Sequence, residues 1–475
     1  MCAIYGIITK EPDPSVVGKF FNGFAHLQHR GQESAGVAYT NGKNLWVHKG
    51  MGLIQSVFGG DITKKRTDIM DRIIERSPNM IIGQTRYSTS GEKSLRDSPP
   101  QYLSPLSGRV ALVHNGNLPN AKHDRKRFEM FGVAFDSDHD SELMLRKILY
   151  YSSVDRRVDL SRGIDRFMND TYGTYSAAIM DVNGIYLFRD PWGNRPMFYV
   201  DNDDLFFFSS ETCALSHIDG EIKEVEPGTI LFRSHHSPLK LIRKNNSLVM
   251  DKAHCVFEKI YFARPDSRTF SKETERIFRL RLGMKLAMQH PVPDADFISG
   301  MPDSGIPAAE GYALQMGKPF ISVYVRDKYY LSRNFINPPE ERRADKKYHI
   351  MEEFVGNKYD FLSSEKVVLI DDSIVRGDTL RDRVRELREA GAKEVHLRIS
   401  SPKLSHPCYY GIDLPTHGEI IGSSRTTEQI REYMEADSLK YLEEIFVREV
   451  LQEFGNNTKN YCMACFNGIY PIQIV

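Results

Sequence analysis

Two different patterns of apolar and polar residues divide the chain, and the change falls near residues 230–260. Before the change, short runs rich in β-branched and aromatic residues alternate with turn signals such as Asn115-Gly116. Such runs are typical of the short strands of antiparallel sheets. The runs that carry this prediction are residues 109–113, 184–188, 196–200 and 205–208.

After the change, strands alternate with amphipathic helices. Residues 366–370 form an apolar run, and the segment that follows places Leu380, Val384 and Leu387 on one helical face. Residues 394–399 supply the next strand. A strand, a helix and a second strand in this order make a βαβ unit, so the C-terminal half is predicted to build a parallel sheet.

The length indicates the number of domains, and the charge balance argues against some classes of binding partner. The 475 residues exceed what one ordinary core accommodates, so we expect two domains, at residues 2–235 and 236–475. Lys plus Arg and Asp plus Glu number 63 each, a balance that does not favour binding to nucleic acid or to an anionic membrane. The chain contains neither an apolar run of the roughly 18 to 20 residues that span a membrane nor a signal-peptide pattern, so a soluble, cytoplasmic protein is expected.

Cys2 is the first candidate for chemistry, because removal of Met1 would place a thiol and a free α-amine on one residue. An α-amine has a pKa of about 7.7 to 8.0, low enough to act as a general base toward the thiol beside it. The resulting thiolate would attack an amide carbon and form a thioester. A cysteine at this position is by itself weak evidence, so the hypothesis depends on the segments that follow.

Four segments strengthen it, because they match class II glutamine amidotransferases in order and over most of residues 2–230. These segments are residues 27–36, 83–89, 114–117 and 189–196. The resemblance implies an α+β N-terminal nucleophile domain, an αββα sandwich that hydrolyses glutamine. The family usually has Gly after the cysteine, and this chain has Ala3.

The same resemblance assigns roles to single residues. Arg86 would bind the α-carboxylate of glutamine, a task suited to a planar and always charged guanidinium. Asp140 would bind the α-ammonium group. Asn115 and the backbone N–H of Gly116 resemble the oxyanion hole of the family, whose donors stabilise the tetrahedral intermediate.

A second motif lies at residues 367–379, where an apolar strand delivers Asp371 and Asp372 to its C-terminal edge. A Gly-containing loop then opens a helix, whose free N–H groups and dipole favour a phosphate. The two carboxylates suit ribose hydroxyls and a hard divalent cation, and residues 375–379 suit a 5-phosphate.

This stretch resembles the motif for phosphoribosyl pyrophosphate (PRPP) of type I phosphoribosyltransferases, which implies an α/β domain with a parallel sheet. The expected PRPP-binding residues are Asp371, Asp372, Ser373, Val375, Arg376, Gly377, Asp378 and Thr379. By the same resemblance Ser304, within residues 297–309, joins the two aspartates at Mg²⁺.

Both halves together identify the chain as a member of the amidophosphoribosyltransferase family, and residues 258–267 match its segment at the start of the transferase domain. The resemblance implies that glutamine and PRPP are the substrates and 5-phosphoribosylamine the product, in the first committed step of purine synthesis. It also implies purine nucleotides as feedback inhibitors and a homotetramer or homodimer. One departure lies in the loop expected to close over PRPP, where residues 342–350 carry lysines out of the usual register.

Cys462 and Cys465 form a Cys-x-x-Cys pair, which alone is compatible with zinc binding, redox chemistry or neither. By resemblance to the iron–sulfur branch of the family, Cys255 and Cys408 complete a candidate site of four cysteines. Four thiolates hold either a tetrahedral zinc ion or a 4Fe–4S cluster, and chemistry alone does not choose between them. Resemblance to the iron–sulfur branch of the family implies the cluster, in a structural role. Cys213 does not belong to this set and is expected to be a core residue.

Two alternatives compete with this interpretation. Another class II amidotransferase, such as a glucosamine-phosphate or asparagine synthetase, would share the N-terminal half but lack the PRPP motif. The second alternative is a regulatory paralogue that binds ribonucleotides without coupled catalysis. It is consistent with Ala3, with Asn194 in place of an apolar residue, and with the altered loop.

Overall fold

The computed structural model describes residues 2–59, 68–87, 94–105, 108–154, 157–202, 204–243, 252–326, 348–351, 354, 365–414 and 416–472. Most of the departing loop, residues 342–347, lies outside these described residues.

Two antiparallel sheets form the middle of the N-terminal half. Its strands are β1 (Ala3–Thr9), β2 (Ser34–Thr40), β3 (Leu45–Met51), β4 (Met80–Arg86), β5 (Gln101–Leu103), β6 (Val110–Asn117), β7 (Ser153–Val154), β8 (Arg157–Val158), β9 (Thr174–Met180), β10 (Ile185–Arg189), β11 (Phe198–Asp201), β12 (Leu205–Ser209), β13 (Lys223–Glu224), β14 (Ile230–Arg233) and β15 (Lys240–Arg243). The seven-stranded sheet has the order β13-β11-β12-β1-β4-β2-β3, the six-stranded sheet has the order β15-β14-β10-β9-β6-β5, and β7 pairs with β8.

Strand β1 shows why the sheets stack. All seven of its residues are buried, and successive side chains point to opposite faces. Ile4 and Ile8 pack into the core between the two sheets. Tyr5 and Ile7 pack on the other face, against helices. Ala3, the residue that departs from the family, is fully buried in this second core, where a methyl group is accommodated.

Helices cover both outer faces of the two sheets. They are α1 (Ser15–Ala25), α2 (Ile54–Phe58), α3 (Asp68–Glu75), α4 (Ala121–Met130), α5 (Asp140–Ser152) and α6 (Leu160–Asp170). Phe20 and Phe24 of α1 pack on the seven-stranded sheet. Ile148 of α5 and Ile164 of α6 pack on the six-stranded sheet. The expected αββα sandwich is confirmed.

The C-terminal half contains a four-stranded parallel sheet. The described strands of this half are β16 (His254–Cys255), β17 (Phe297–Gly300), β18 (Tyr324–Arg326), β19 (Tyr348–Ile350), β20 (Lys366–Asp371), β21 (Glu394–Ile399), β22 (Ser438–Tyr441) and β23 (Tyr461–Cys462). The order β17-β20-β21-β22 is parallel throughout. A parallel pair, β16-β23, and an antiparallel pair, β18-β19, lie outside this sheet.

Helices also cover both faces of the parallel sheet. They are α7 (Glu275–Gln289), α8 (Gly305–Met316), α9 (Asp378–Glu389), α10 (Ile421–Ser424), α11 (Thr427–Tyr433), α12 (Glu444–Glu453) and α13 (Ala464–Asn467). Leu282 of α7 shares one core with Val368 of β20, and Val384 of α9 shares the other core with Val367. The expected α/β transferase fold is confirmed.

The division expected at residues 235 and 236 stays a prediction, and the strand β15 closes the outer edge of the six-stranded sheet at Arg243. Among the described residues, no helix combines the length and the apolar character that a membrane crossing requires.

Candidate active sites

Cys2 directly precedes β1, a central strand that lies between β4 and β12. Ala3 pairs with Thr85, so Cys2 reaches the end of β4. Its Sγ donates a long hydrogen bond to the carbonyl of Tyr87 at 3.9 Å, and its own carbonyl accepts from Arg30 Nε at 3.1 Å. This half-buried cysteine is therefore held by one contact of its thiol and one contact of its backbone carbonyl.

Arg86 ends β4 beside Cys2, and its side chain is 1% exposed. Its Nη1 lies 3.5 Å from Oε1 of Glu33, which is 4% exposed. Among the described residues, neither carboxylate oxygen of Glu33 accepts a hydrogen bond. A buried guanidinium beside the cysteine suits a substrate carboxylate.

Asn115 lies near the end of β6, opposite Ser176 of β9, and it is fully buried. Within the described parts of the chain, neither atom of its side-chain amide has a hydrogen-bond partner. Leaving a buried polar group unsatisfied costs about 1 to 3 kcal/mol, so such a group calls for a ligand that completes it. At Gly116 an added Cβ would lie 2.0 Å from the carbonyl oxygen of Thr174, so no side chain fits there.

Asp140 begins α5, and its Oδ2 accepts from the backbone N–H of Leu118 at 3.2 Å. Two buried imidazoles flank the carboxylate, His139 at 3.4 Å and His114 at 3.9 Å. Burial lowers the pKa of His139 to about 4 and also lowers the pKa of His114. Both rings are therefore neutral at pH 7 and leave the negative charge of Asp140 for a cation.

Ser304 and Asp372 meet at the C-terminal edge of the parallel sheet. Ser304 Oγ donates to Asp372 Oδ2 at 2.5 Å, and Ser373 Oγ donates to Asp372 Oδ1 at 2.6 Å. The N–H of Asp372 donates to Asp371 Oδ1 at 2.9 Å. Burial raises the pKa of Asp372. The expected oxygen ligands are thus brought together from the ends of two neighbouring strands.

The other expected PRPP-binding residues lie in the loop from β20 to α9, namely Val375, Arg376 and Gly377, and in the first turn of α9, namely Asp378 and Thr379. Gly377 has a φ of +92°, in the left-handed region that favours glycine, and directly precedes α9. Arg376 forms an ion pair with Glu419, and the carboxylate of Asp378 accepts from the hydroxyl of Tyr433 at 2.6 Å. The loop therefore ends at a helix N-terminus, as its motif predicts.

One cavity is lined by the four thiols Cys255, Cys408, Cys462 and Cys465. Strands β16 and β23 bring two of the thiols together, and the Arg195 side chain lines the same cavity. All six cysteines of the chain are free thiols. Among the described residues, no group of three or more His, Cys, Asp or Glu side chains is arranged to hold a single ion. Cys213 is 3% exposed and lies in the helix-facing core, as expected.

A buried charge network that the sequence does not indicate connects the two halves. Arg30 Nη1 pairs with the carboxylates of Glu211 and Glu258, and Nη2 lies 3.2 Å from Glu258 Oε2. Arg195 Nη1 lies 3.4 Å from the same oxygen. The side chains of Arg30, Glu211 and Glu258 are 0% exposed. Two of the matched segments contain Arg30 and Glu258, but nothing in either segment indicates that they meet.

Known proteins match this architecture over its whole length. A family model described as a glutamine amidotransferase domain matches residues 92–217. The amidophosphoribosyltransferase of Synechocystis sp. is 37% identical over 100% of this chain and 91% of its own, and that of Homo sapiens is 34% identical over 100% and 98%.

Two solved structures are similar to this chain at comparable sequence identity. The allosteric regulatory enzyme of purine biosynthesis has a TM-score of 0.86 and is 33% identical, over 100% of this chain and 97% of that one. The glutamine PRPP amidotransferase from B. subtilis, complexed with ADP and GMP, has a TM-score of 0.85 and is 34% identical, over 100% and 98%. Glucosamine-phosphate and asparagine synthetases are thereby set aside. The chain belongs to the amidophosphoribosyltransferase family, the enzymes that transfer the amide nitrogen of glutamine to PRPP in the first step of purine biosynthesis.

Proposed function

We propose that the glutaminase reaction takes place at Cys2, with Arg86 and Asp140 as the residues that bind glutamine. The thiol attacks the side-chain amide carbon, and the α-amine freed by loss of Met1 accepts the thiol proton and returns it to the leaving ammonia. Water then hydrolyses the thioester and releases glutamate. The neutral imidazoles beside Asp140 support its role, because they leave its charge for the α-ammonium group.

The observation that carries this proposal is the Asn115 amide, which is fully buried and has no hydrogen-bond partner among the described residues. We assign its N–H and the N–H of Gly116 to the oxyanion of the tetrahedral intermediate. Donors of this kind act in the transition state, where charge develops, and one of them is worth about 10²- to 10³-fold in kcat.

For the transferase site we propose that Ser304, Asp371 and Asp372 hold Mg²⁺, whose preferred ligands are oxygens. Bound there, Mg²⁺ would neutralise charge on the departing pyrophosphate. Ser373 and residues 375–379 would bind the rest of PRPP, with the 5-phosphate at the N-terminus of α9. Ammonia then bonds to the ribose C1 as the bond from C1 to pyrophosphate breaks.

We propose a 4Fe–4S cluster at Cys255, Cys408, Cys462 and Cys465, which would place the chain in the iron–sulfur branch of the family. A cluster offers a different iron to each thiolate, which suits thiols that line one cavity without converging on a single ion. The buried guanidinium of Arg195 beside them suits an anionic group. Since the reaction transfers no electrons, the cluster is structural. Iron and sulfide analysis of anaerobically purified protein separates this proposal from zinc.

Purine nucleotides are the proposed feedback inhibitors, on the precedent of the B. subtilis relative complexed with ADP and GMP. We further propose a homotetramer or homodimer, to be tested by light scattering. None of the six cysteines forms a disulfide, which fits the reducing conditions of the cytoplasm, and we propose the cytoplasm as the location.

The decisive experiment measures glutamate and pyrophosphate release by anaerobically purified enzyme, with and without PRPP and Mg²⁺. We expect PRPP to stimulate glutamate release in the wild type and Cys2→Ala to abolish it. Cys213→Ala is the matched control, because it removes a buried thiol outside the three proposed sites and should leave turnover intact. Equal loss in both variants would contradict the assignment of Cys2, and turnover without PRPP stimulation would favour the regulatory paralogue.

A further inference from the structure

The strand end that carries Asn115 and Gly116 lies against a segment from the other half of the chain. Strand β6 pairs with β9 as far as Asn117, which stands opposite Thr174. Its pairing with β5 ends at Leu112 among the described residues. The end of the β6–β9 pair therefore depends on other contacts, and residues 408–411 supply them. We call residues 408–411 the support segment.

Three consecutive residues of the support segment contact this strand end. Asn117 Nδ2 donates to the carbonyl of Tyr409 at 2.9 Å, and Thr174 Oγ1 donates to the carbonyl of Tyr410 at 2.9 Å. A Cβ added at Gly411, whose φ is +101°, would lie 2.9 Å from the carbonyl carbon of Gly116. The backbone of the support segment thus touches the backbone of a proposed oxyanion donor.

The other side of the support segment is fixed by the thiol cavity. Cys408 is its first residue, and Cys408 Sγ accepts from the N–H of Tyr410 at 3.4 Å. The Tyr410 hydroxyl donates to the carbonyl of Ile472 at 2.7 Å and accepts from the N–H of Ile472 at 3.1 Å. Cys408 and Tyr410 both line the cavity. A metal group bound to Cys408 would therefore restrain the same backbone that contacts Gly116.

We propose that the support segment is a positioning element of the glutaminase site, and that the metal group at the four thiols sets its position. The inference rests on the proposed oxyanion role of Asn115 and Gly116 and on the proposed ligand role of Cys408. Oxyanion donors act only when held close to their productive geometry, and a shift of about 1 Å costs up to about 100-fold. The effect of the support segment falls on kcat, since these donors bind the transition state and not the substrate.

Asn117→Ala is the first test, because it removes the bond to Tyr409 and leaves Asn115 and the thiols in place. We expect glutaminase kcat to fall about 10-fold while iron content stays at the wild-type value. The dissociation constant for glutamine, measured by calorimetry in the Cys2→Ala background, should not change. Asn169→Ala is the matched control, since within the described residues the Asn169 side chain hydrogen-bonds to Asp165 of α6 and Arg243 of β15, at the protein surface.

The second test needs no turnover. Iron is removed from the wild type by chelation, and hydrogen exchange is followed in residues 110–117. We expect exchange there to become faster without iron, and Gly411→Ala to have the same effect in iron-loaded protein. Unchanged exchange on iron removal would overturn the link to the metal group.

The kinetic outcomes separate this inference from the function on which it rests. Wild-type kcat in Asn117→Ala, or a parallel loss of glutamine affinity, would overturn the positioning role. If Asn115→Ala also retains wild-type kcat, the oxyanion assignment itself is wrong. If Asn115→Ala loses kcat and Asn117→Ala does not, only the positioning role fails.

Discussion

Replacement of Arg30 by Met tests the buried charge network between the two halves. Arg30→Met keeps the unbranched apolar stem of the side chain but removes the guanidinium, and with it the charge shared by Glu211 and Glu258. Removal of one partner from a buried ion pair costs about 3 to 5 kcal/mol, because the remaining charge stays buried. Glu258 keeps Arg195 at 3.4 Å and Glu211 keeps His29 at 2.8 Å, so we expect the lower end, about 3 kcal/mol.

The assay is urea unfolding of anaerobic protein at pH 7, with Arg385→Met as the control. Arg385 pairs with Glu435, and both side chains are about half exposed, so solvent screens the pair and its loss should change stability little. Equal stability of the Arg30→Met and Arg385→Met variants would refute the reasoning. A glutaminase defect in Arg30→Met is also expected, since Arg30 holds the carbonyl of Cys2.

The pH dependence gives the same prediction a second check. Burial acts to raise the pKa of Glu211, but His29 and Arg30 outweigh it and hold that pKa well below its usual value of 4.5. A depressed carboxyl pKa contributes stability above the unfolded value, and the contribution is lost as the pH falls through the folded value. The stability difference between wild type and Arg30→Met should therefore shrink as the pH falls below about 4.5. A difference that stays constant to pH 4 would speak against this cause.

Three further predictions concern single residues of the two sites. Asn115→Ala should lower glutaminase kcat by about 10²- to 10³-fold in steady-state assays while glutamine affinity, measured by calorimetry, is retained. Asp372→Asn should lower pyrophosphate release by about 100-fold or more without abolishing PRPP-independent glutamate release, because the charge that attracts Mg²⁺ is lost. The free energy of unfolding of the wild type should fall as the pH is lowered from 6.5 to about 4, because His139 binds a proton in the unfolded chain but not when it is buried. In His139→Asn, the free energy of unfolding measured with urea should depend less steeply on pH over this range. Asn keeps an acceptor at the helix start, where His139 now accepts from Ser141.

Local patterns were enough to predict the elements. The run at 394–399 is the strand Glu394–Ile399, and the face of Leu380, Val384 and Leu387 is buried in the helix Asp378–Glu389. Such elements follow from periodicity over a few residues, which a sequence displays directly. The motif at 367–379 likewise combines a strand, a loop and a helix start within a short stretch.

Contacts between segments that are distant in the chain could not be predicted from the sequence. Arg30 and Glu258 are 228 residues apart, and Asn117 and Tyr409 are 292 apart. Each residue lies within or beside a motif with a different apparent purpose, and neither spacing nor periodicity links such pairs. The unpartnered amide of Asn115 is also invisible before the fold is known, because Asn-Gly reads as a turn and here lies within the strand Val110–Asn117.

Glu258 belongs to the C-terminal half, but two arginines of the N-terminal half, Arg30 and Arg195, neutralise its carboxylate. Either half produced as a separate polypeptide would expose charges that the intact chain keeps out of water. An exchange of halves between relatives would have to preserve all three residues together. The charge network therefore requires the two catalytic units to evolve together, although each has a hydrophobic core of its own.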